Sequence, residues 1–147
     1  MTGTPVVAQA LFSHEIEVRW GDLDAFNHVN NTLFLRYIEE ARIRFFTRLG
    51  IGLDAGDSGP VVVHVDCSFR RAITYPARVR VSVDAYRASE RRLVMRHDVT
   101  GADDDGVLYA EAEVTLVWVD GRSGRAVPLP AAVTRALPAG DGSPDGQ

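Results

Sequence analysis

Hydrophobic and polar residues alternate along most of the chain, and only one long segment departs from this pattern. Residues 12–20 alternate strictly, with Phe12 and Trp20 on the same face, which predicts a half-buried strand. Between residues 31 and 49 the apolar positions instead recur every three or four residues, and Gly50 stands just beyond the last of them. That spacing predicts one long amphipathic helix with a glycine stop.

Beyond a glycine-rich loop the alternation returns in four segments that short turns separate. The last three segments follow one another through turns rich in Gly, Asp and Ser, which is typical of an antiparallel meander. The C-terminal segment, rich in Pro, Ala and Gly, predicts one short helical turn followed by a flexible tail. The loop covers residues 52–60, and the predicted strands cover residues 61–71, 79–85, 93–99 and 107–119.

The resulting order of one strand, one long helix and four strands predicts an α+β fold. One face of the sheet must be buried, and only one long helix is available to cover it. We therefore expect a curved antiparallel five-stranded sheet wrapped around one central helix. Residues 1–137 are expected to form this single domain, and residues 138–147 the flexible tail. Two sheet edges and one sheet face stay open in such a monomer, which favours a homodimer or a homotetramer.

The composition argues against several classes of protein. A chain of 147 residues with 46% hydrophobic residues is long enough for one domain with a real core. Its net charge of −4 and its lack of a dense basic run argue against nucleic-acid binding, and no segment is apolar for long enough to span a membrane. Cys67 has no partner for an internal disulfide, and no basic segment precedes the apolar residues near the N-terminus. We therefore expect a cytoplasmic protein.

Several common catalytic motifs are absent from the sequence. No Gly-x-Ser-x-Gly, Gly-x-Gly-x-x-Gly or Walker loop occurs, which argues against a nucleophile-elbow hydrolase, a dinucleotide enzyme and a P-loop enzyme. Cys67 falls on the apolar face of a predicted strand and is expected to be a core residue. A calcium loop starting at Asp22 would place Phe26 and Leu33 at ligand positions, and His28 is the only local histidine or cysteine for zinc. We therefore expect no metal and no redox cofactor.

The loop before the long helix concentrates polar residues, among them Asp22, Asp24, Asn30 and Asn31. One interpretation is structural: Asn30 caps the helix, and the two aspartates are solvated acids that the helix dipole favours. The other is catalytic: unpaired N–H groups of the first helical turn polarise a carbonyl beside a working carboxylate. The residues by themselves leave both interpretations open.

Residues 20–42, WGDLDAFNHVNNTLFLRYIEEAR, resemble the signature of the hotdog-fold acyl-CoA thioesterases of the 4-hydroxybenzoyl-CoA thioesterase type. The similarity is greatest to the branch with His-Val-Asn-Asn after the acid and Glu-Glu-Ala-Arg at the end of the motif. The order of strand, helix and four strands is also that of the hotdog fold, so the resemblance extends over about residues 10–137. The loop departs from the pattern in one respect, because it reads Ala25-Phe26-Asn27 where many relatives have a glycine.

The resemblance implies an enzyme that hydrolyses an acyl-CoA thioester to a free carboxylic acid and CoA without a cofactor. Its catalytic carboxylate matches Asp24, which serves as nucleophile or as general base, whereas Asp22 is structural. Backbone N–H groups of residues 29–31 hold the carbonyl oxygen, and His28 matches a position that orients the loop. The implied catalytic residues are Asp24, His28, Asn30 and Asn31, with Asn31 at the offset that matches the oxyanion donor.

The implied substrate-binding residues come from the loop, the helix and the second strand. Arg70 and Arg71 suit the phosphates of CoA, and in the family such residues can serve the neighbouring subunit's site. Tyr37 is expected to line an acyl pocket together with Phe34, and His64 is expected near the subunit interface. The full substrate-binding set is Phe26, Val29, Tyr37, His64, Arg70 and Arg71.

Two alternatives to an acyl-CoA thioesterase stay open. A basic patch around Arg78, Arg80, Arg91 and Arg92 would suit an acidic acyl carrier protein as the thioester donor. A non-catalytic hotdog subunit would bind acyl-CoA without hydrolysing it, but it needs no carboxylate beside a polarised carbonyl, so Asp24 favours an enzyme. The sequence specifies neither the acyl group nor the choice between a dimer and a tetramer.

Overall fold

The computed structural model describes residues 10–52, 57–104 and 106–137. The predicted tail at residues 138–147 and residues 53–56 of the predicted loop lie outside this part of the chain. Within it, no helix is both long enough and apolar enough to cross a membrane. The elements are β1 (Phe12–Glu17), α1 (Asn31–Arg48), β2 (Ser58–Phe69), β3 (Arg78–Arg87), β4 (Arg92–Gly101), β5 (Leu108–Asp120) and α2 (Ala131–Ala136).

The five strands form one sheet in the order β1-β3-β4-β5-β2. The three consecutive neighbours β3, β4 and β5 are the predicted meander, which is confirmed. The first strand joins the sheet through antiparallel pairing with β3, where His14 lies opposite Val81. The predicted fold class, an antiparallel five-stranded sheet with one long helix, is therefore confirmed, and β1 and β2 form the two edges of the sheet.

The chain forms two compact units, and the boundary between them falls within α1 and within each of the four longer strands. The first unit contains the described residues up to Arg42 and those of the ranges Cys67–Asp84 and Arg96–Ala112. Its core includes the ring of Phe34, which meets Phe69 edge to face with the ring centroids 5.2 Å apart. In the second unit Phe46 meets Trp118 in the same way at 5.6 Å.

Local signals at both ends of α1 explain why the helix has these limits. The side chain of Asn30 caps the N-terminus by accepting the N–H of Thr32 at 2.9 Å. At the other end Gly50 adopts φ +87°, a left-handed conformation that favours glycine, and the N–H of Ile51 donates to the carbonyl of Phe46. The predicted start at residue 31 and the predicted glycine stop are both confirmed.

The second strand differs from its prediction in burial and in length. Alternation predicted one buried face, but Val61, Val63 and Val65 are exposed, as are the off-pattern Val62 and the terminal Phe69. The strand also begins at Ser58, inside the predicted loop. The reason is its place at the sheet edge, where β5 is its one neighbour and the described chain supplies no element to cover its apolar side chains.

One buried histidine is expected to make the stability of the fold depend on pH. His97 on β4 is 1% exposed, and its Nδ1 donates to the carbonyl of Ser82 at 3.0 Å. Burial lowers the pKa of His97 to about 4, and the positive charge of Arg42 acts in the same direction, while the hydrogen bond to Ser82 opposes both. As pH falls below about 6.5 the unfolded chain protonates this histidine and the folded chain does not.

Because the unfolded state binds the extra proton, the free energy of unfolding is expected to fall by about 3 kcal/mol as pH decreases from 6.5 to 4. Urea unfolding at several pH values measures this loss. The variant His97→Asn keeps a donor for Ser82 but does not titrate, so its stability should change less over this window. If the free energy of unfolding fell equally with pH in wild type and His97→Asn, His97 would not be the cause of the loss in stability.

Candidate active site

A buried carboxylate fixes the start of the loop between β1 and α1. Asp22 is 5% exposed and ends a short 3-10 turn. Its side chain accepts the hydroxyl of Tyr37 at 2.7 Å and the backbone N–H and guanidinium of Arg19, both at 3.1 Å. Burial raises the pKa of Asp22, but these hydrogen bonds outweigh burial and hold the pKa below its usual value. Asp22 is thus a charged anchor, in agreement with its predicted structural role.

The second aspartate is oriented by the loop that it begins. The N–H of Asp24 donates to the carbonyl of His28 at 2.8 Å, and its carbonyl accepts the N–H of Asn27 at 3.0 Å. Its Oδ1 accepts the N–H of Phe26 at 2.8 Å and that of His28 at 3.3 Å. Among the described residues, none donates a hydrogen bond to Oδ2. One carboxylate oxygen of Asp24 is therefore held by the loop, and the other is uncommitted.

The loop accommodates its departure from the glycine pattern through Asn27. This residue adopts φ +64°, in the left-handed region that glycine takes freely and that asparagine tolerates better than most residues. The side chain of Phe26 points to solvent and is 79% exposed. Asn27 therefore supplies a left-handed backbone conformation in this loop without a glycine.

The hydrogen bonds at the start of α1 leave one of the three predicted oxyanion donors uncommitted. The N–H of Val29 donates to the carbonyl of Ile73 at 2.9 Å, and the N–H of Asn30 donates to the carbonyl of Asp22 at 3.1 Å. In the described part of the chain the N–H of Asn31, which is the first residue of the helix, donates to no acceptor. Because the helix dipole places partial positive charge at this end, the Asn31 N–H is well suited to a carbonyl oxygen.

A cavity of about 260 Å³ is lined by both Asn31 and Asp24. It brings together most of the predicted catalytic residues and both predicted phosphate-binding arginines. Its lining residues are Asp24, His28, Val29, Asn31, Phe34, Phe69, Arg70, Arg71 and Ala72.

Four of the predicted site residues do not line this cavity. Asn30 is the helix cap, with its side chain committed to Thr32, and Phe26 points to solvent. Tyr37 is 2% exposed and its hydroxyl is committed to Asp22, so it is a buried support residue. His64 is an exposed residue of β2 outside the lining set.

Two lining residues, Phe69 and Ala72, were not predicted as site residues. Alternation assigned Phe69 to a buried strand face, whereas the structure leaves it 44% exposed at the end of β2. Its position directly before Arg70 and Arg71 was the available signal, because a strand end beside two charged residues can face a site. The edge-to-face contact with Phe34 makes these two rings the apolar wall of the cavity.

The arginines differ in how far other residues neutralise them. Arg70 donates from Nε to Glu111 at 2.7 Å, whereas no acceptor for the Arg71 guanidinium is found in the described part of the chain. Two residues of the proposed carrier-protein patch are neutralised. Arg78 pairs with Glu15 at 3.0 Å and Asp103 at 2.7 Å, and Arg80 pairs with Glu15 at 2.9 Å.

The described residues contain no group of three or more His, Cys, Asp or Glu side chains arranged to hold a metal ion. The cavity offers Asp24 and His28 as potential ligands, one fewer than the three protein ligands usual for a catalytic zinc.

Comparisons with known proteins agree with the fold. A model of the thioesterase-like superfamily matches residues 18–137. The solved structure of a candidate thioesterase from Pseudomonas aeruginosa has 38% sequence identity to this chain and a TM-score of 0.84. The match covers 87% of this chain and 98% of that chain. A thioesterase from Thermus thermophilus, solved with coenzyme A and Zn, has 34% sequence identity to this chain and a TM-score of 0.76. The match covers 89% of this chain and 95% of that chain.

The long-chain acyl-CoA thioesterase FadM of Escherichia coli is 26% identical over 124 residues, which make up 78% of this chain and 88% of that protein. The family model and the two solved structures each cover most of the chain, and they share its predicted hotdog fold. The chain therefore belongs to the thioesterase-like superfamily and is a thioester hydrolase.

Proposed function

We propose that this chain is an acyl-CoA thioesterase in which Asp24 acts on a thioester carbonyl held by the N–H of Asn31. The observation that carries the proposal is a single cavity lined by two residues with uncommitted groups: Asp24 has a free carboxylate oxygen and Asn31 a free helix N–H. FadM is a long-chain acyl-CoA thioesterase and the Thermus thermophilus relative was solved with coenzyme A, which supports a CoA thioester here. The His-Val-Asn-Asn motif supports the 4-hydroxybenzoyl-CoA thioesterase type.

In the general-base route, Oδ2 of Asp24 takes a proton from water as the hydroxide adds to the carbonyl carbon. The negative charge on the carbonyl oxygen is stabilised by the Asn31 N–H and by the positive end of the α1 dipole. The C–S bond then breaks, and CoA leaves as a thiolate that takes the proton. In the nucleophilic route, Oδ2 itself attacks the carbonyl carbon, the C–S bond breaks and CoA leaves as a thiolate, which gives an anhydride between Asp24 and the acyl group. Water then cleaves the anhydride to the free acid and the Asp24 carboxylate, and the proton released neutralises the thiolate.

A carboxylate is sufficient for either route because a thioester is an activated acyl group. A thiolate is a good leaving group, so the reaction does not need a strong alkoxide nucleophile. His28 supports Asp24 through its backbone, which both donates to and accepts from that residue.

Arg71 is the proposed contact for the phosphates of CoA, because this residue lines the cavity and its guanidinium has no acceptor among the described residues. Arg70 is already paired with Glu111, so it adds less uncompensated charge.

We also propose that two copies of the chain pair through β2. The strand is an edge strand with three consecutive exposed valines, Val61, Val62 and Val63, followed by exposed Val65 and Phe69. An exposed apolar edge of this kind favours pairing with another strand, and two-fold symmetry would place β2 beside its own copy. Because Phe69 ends this strand and lines the cavity, the active site would lie beside the dimer interface.

Replacing Val63 with aspartate is expected to raise the dissociation constant of the dimer by about 100-fold. The reason is that two-fold pairing brings the two new charges close to each other in an apolar interface. Light scattering during size-exclusion chromatography over a concentration series measures this change. Val63→Thr, which keeps the branched shape without a charge, should remain dimeric, and a monomeric wild type at high concentration would contradict the pairing.

The substrate class is tested by release of free thiol from aromatic, short-chain and long-chain acyl-CoA esters, with the same acyl groups on an acyl carrier protein in parallel. The proposal predicts saturable release from at least one acyl-CoA, with higher kcat/KM than from the carrier-protein ester. Higher kcat/KM for the carrier-protein esters would support the carrier-protein alternative. Binding of acyl-CoA without any thiol release would support the non-catalytic alternative.

A further inference from the structure

Asp22 connects three separate parts of the site region. Its carboxylate accepts from Arg19, which precedes the loop, and from the hydroxyl of Tyr37, which lies in the second turn of α1. Its carbonyl accepts the N–H of Asn30, directly before the helix. The start of the loop is therefore attached both to the end of the loop and to the body of the helix.

Asp24 and Asn31, the proposed catalytic pair, lie between these attachment points. Asp24 is two residues after Asp22, and Leu23 between them forms a bridge with Val29 that closes the loop. Asn31 and Tyr37 belong to the same helix, so a contact from Tyr37 to Asp22 fixes the loop relative to the helix that carries the Asn31 N–H. Fixing that relation sets how the Asp24 carboxylate faces the Asn31 N–H.

We propose that Asp22 and Tyr37 form one positioning pair, whose buried hydrogen bond sets the Asp24 carboxylate against the Asn31 N–H. This inference rests on the proposed function of those two groups. A hydrogen bond to a carboxylate is short and directional, and 2.7 Å is typical of a charge-assisted contact. A buried charge is a costly way to fill space that an apolar side chain could fill, so its presence here favours a geometric role over a purely structural one.

The charge state of the pair is consistent with this role. The charged or titratable groups that contact Asp22 are Arg19 and Tyr37, and both lower its pKa against the effect of burial. Burial, followed by the contact with Asp22, raises the pKa of Tyr37, so its hydroxyl remains a donor. The pair therefore stays carboxylate and phenol across the neutral pH range.

The test is the variant Tyr37→Phe, which keeps the buried ring and removes only the donor. We expect kcat for acyl-CoA hydrolysis to fall by about 10- to 100-fold with KM changed less than about twofold, since the acyl site is intact and the catalytic geometry is not. Without the hydroxyl, burial of Asp22 is less opposed and its pKa rises. The acid limb of the kcat–pH profile should therefore move to higher pH.

The matched control is Tyr75→Phe, which removes a hydroxyl from a 45% exposed tyrosine outside the cavity lining and should leave kcat and the pH profile unchanged. A second variant, Asp22→Asn, keeps the shape of the carboxylate without its charge and does not titrate. If the two residues act as one unit, the double variant should be no slower than about the slower single variant. For each variant, kcat is calculated per mole of folded protein, and the folded fraction is measured by circular dichroism and thermal unfolding.

A lower melting temperature with unchanged kcat and unchanged pH profile in both Tyr37→Phe and Asp22→Asn would overturn the inference, because it would show a structural role alone. If Tyr37→Phe does not fold, Asp22→Asn decides the question through the same kcat measurement. Absence of thiol release by wild type would overturn the proposed function and this inference together. Release by wild type, with Tyr37→Phe and Asp22→Asn as fast as Tyr75→Phe, would overturn only the inference.

Discussion

Replacing Asp24 with asparagine is expected to lower kcat for acyl-CoA hydrolysis by about 1,000-fold, within the range that removal of a catalytic acid or base produces. The amide oxygen of asparagine can still accept the N–H groups of Phe26 and His28, so the loop should keep its path. The amide can neither take a proton from water nor attack the carbonyl. Because substrate contacts are unchanged, KM should change by less than about threefold. Steady-state release of CoA thiol measures both constants.

Asp120 offers a matched control for this substitution. Its side chain makes the same kind of turn contacts, accepting the N–H groups of Arg122 at 3.1 Å and Ser123 at 2.7 Å, but it does not line the cavity. Asp120→Asn should therefore retain the wild-type kcat. If Asp24→Asn kept more than about a tenth of the wild-type rate while remaining folded, Asp24 would not have the proposed role.

Replacing Asn31 with proline is expected to lower kcat by about 100- to 1,000-fold, the usual effect of removing one oxyanion donor. Proline deletes the N–H that is proposed to hold the carbonyl oxygen, and the first position of a helix is where proline is best tolerated. No hydrogen bond of the described structure is lost, because that N–H has no acceptor there. Kinetics on acyl-CoA and the helical signal in circular dichroism measure activity and folding together.

Asn31→Ala separates the backbone from the side chain in this experiment. Alanine keeps the N–H and removes the amide side chain, so its kcat should stay within a few fold of wild type. Equal and large losses for the two variants would assign the effect to the asparagine side chain. A fully active Asn31→Pro would show that the carbonyl oxygen is held elsewhere.

The sequence predicted the features of this fold that depend on local signals. The polar cap at Asn30 and the glycine at position 50 define the helix, and each acts on neighbouring backbone groups. The turns between β3, β4 and β5 are short, so these strands could only form a meander. The family motif then placed Asp24 and His28 in one loop and Asn31 at the start of the helix after it, and all three residues line one cavity.

The features that the sequence did not predict depend on contacts between distant residues. Val29 was expected to be an oxyanion donor, but its N–H donates to the carbonyl of Ile73, which lies in the β2–β3 connection. Tyr37 was expected to line an acyl pocket. Helical periodicity shows that Tyr37 is buried, but it does not show that the hydroxyl of Tyr37 donates to Asp22. For Tyr37 the pattern gave the right burial, and for neither residue could it give the hydrogen-bonding partner.

The second strand shows a different limit of sequence patterns. Alternating valines predict that a face is covered, but they do not say whether the cover comes from the same chain. Val61, Val63 and Val65 are exposed in the single chain, and so is Phe69, which lines the cavity. The role of Phe69 therefore follows from its position at the end of an edge strand beside Arg70.

A single-turnover experiment determines whether the cavity lined by Asp24 cleaves acyl-CoA thioesters. Enzyme is mixed in excess with the best acyl-CoA of the substrate panel, and CoA release is followed for wild type and Asp24→Asn under the same conditions. We expect wild type to release one equivalent of CoA exponentially, and Asp24→Asn to release it about 1,000-fold more slowly. Equal rates for the two proteins, or no release by wild type, would contradict this expectation.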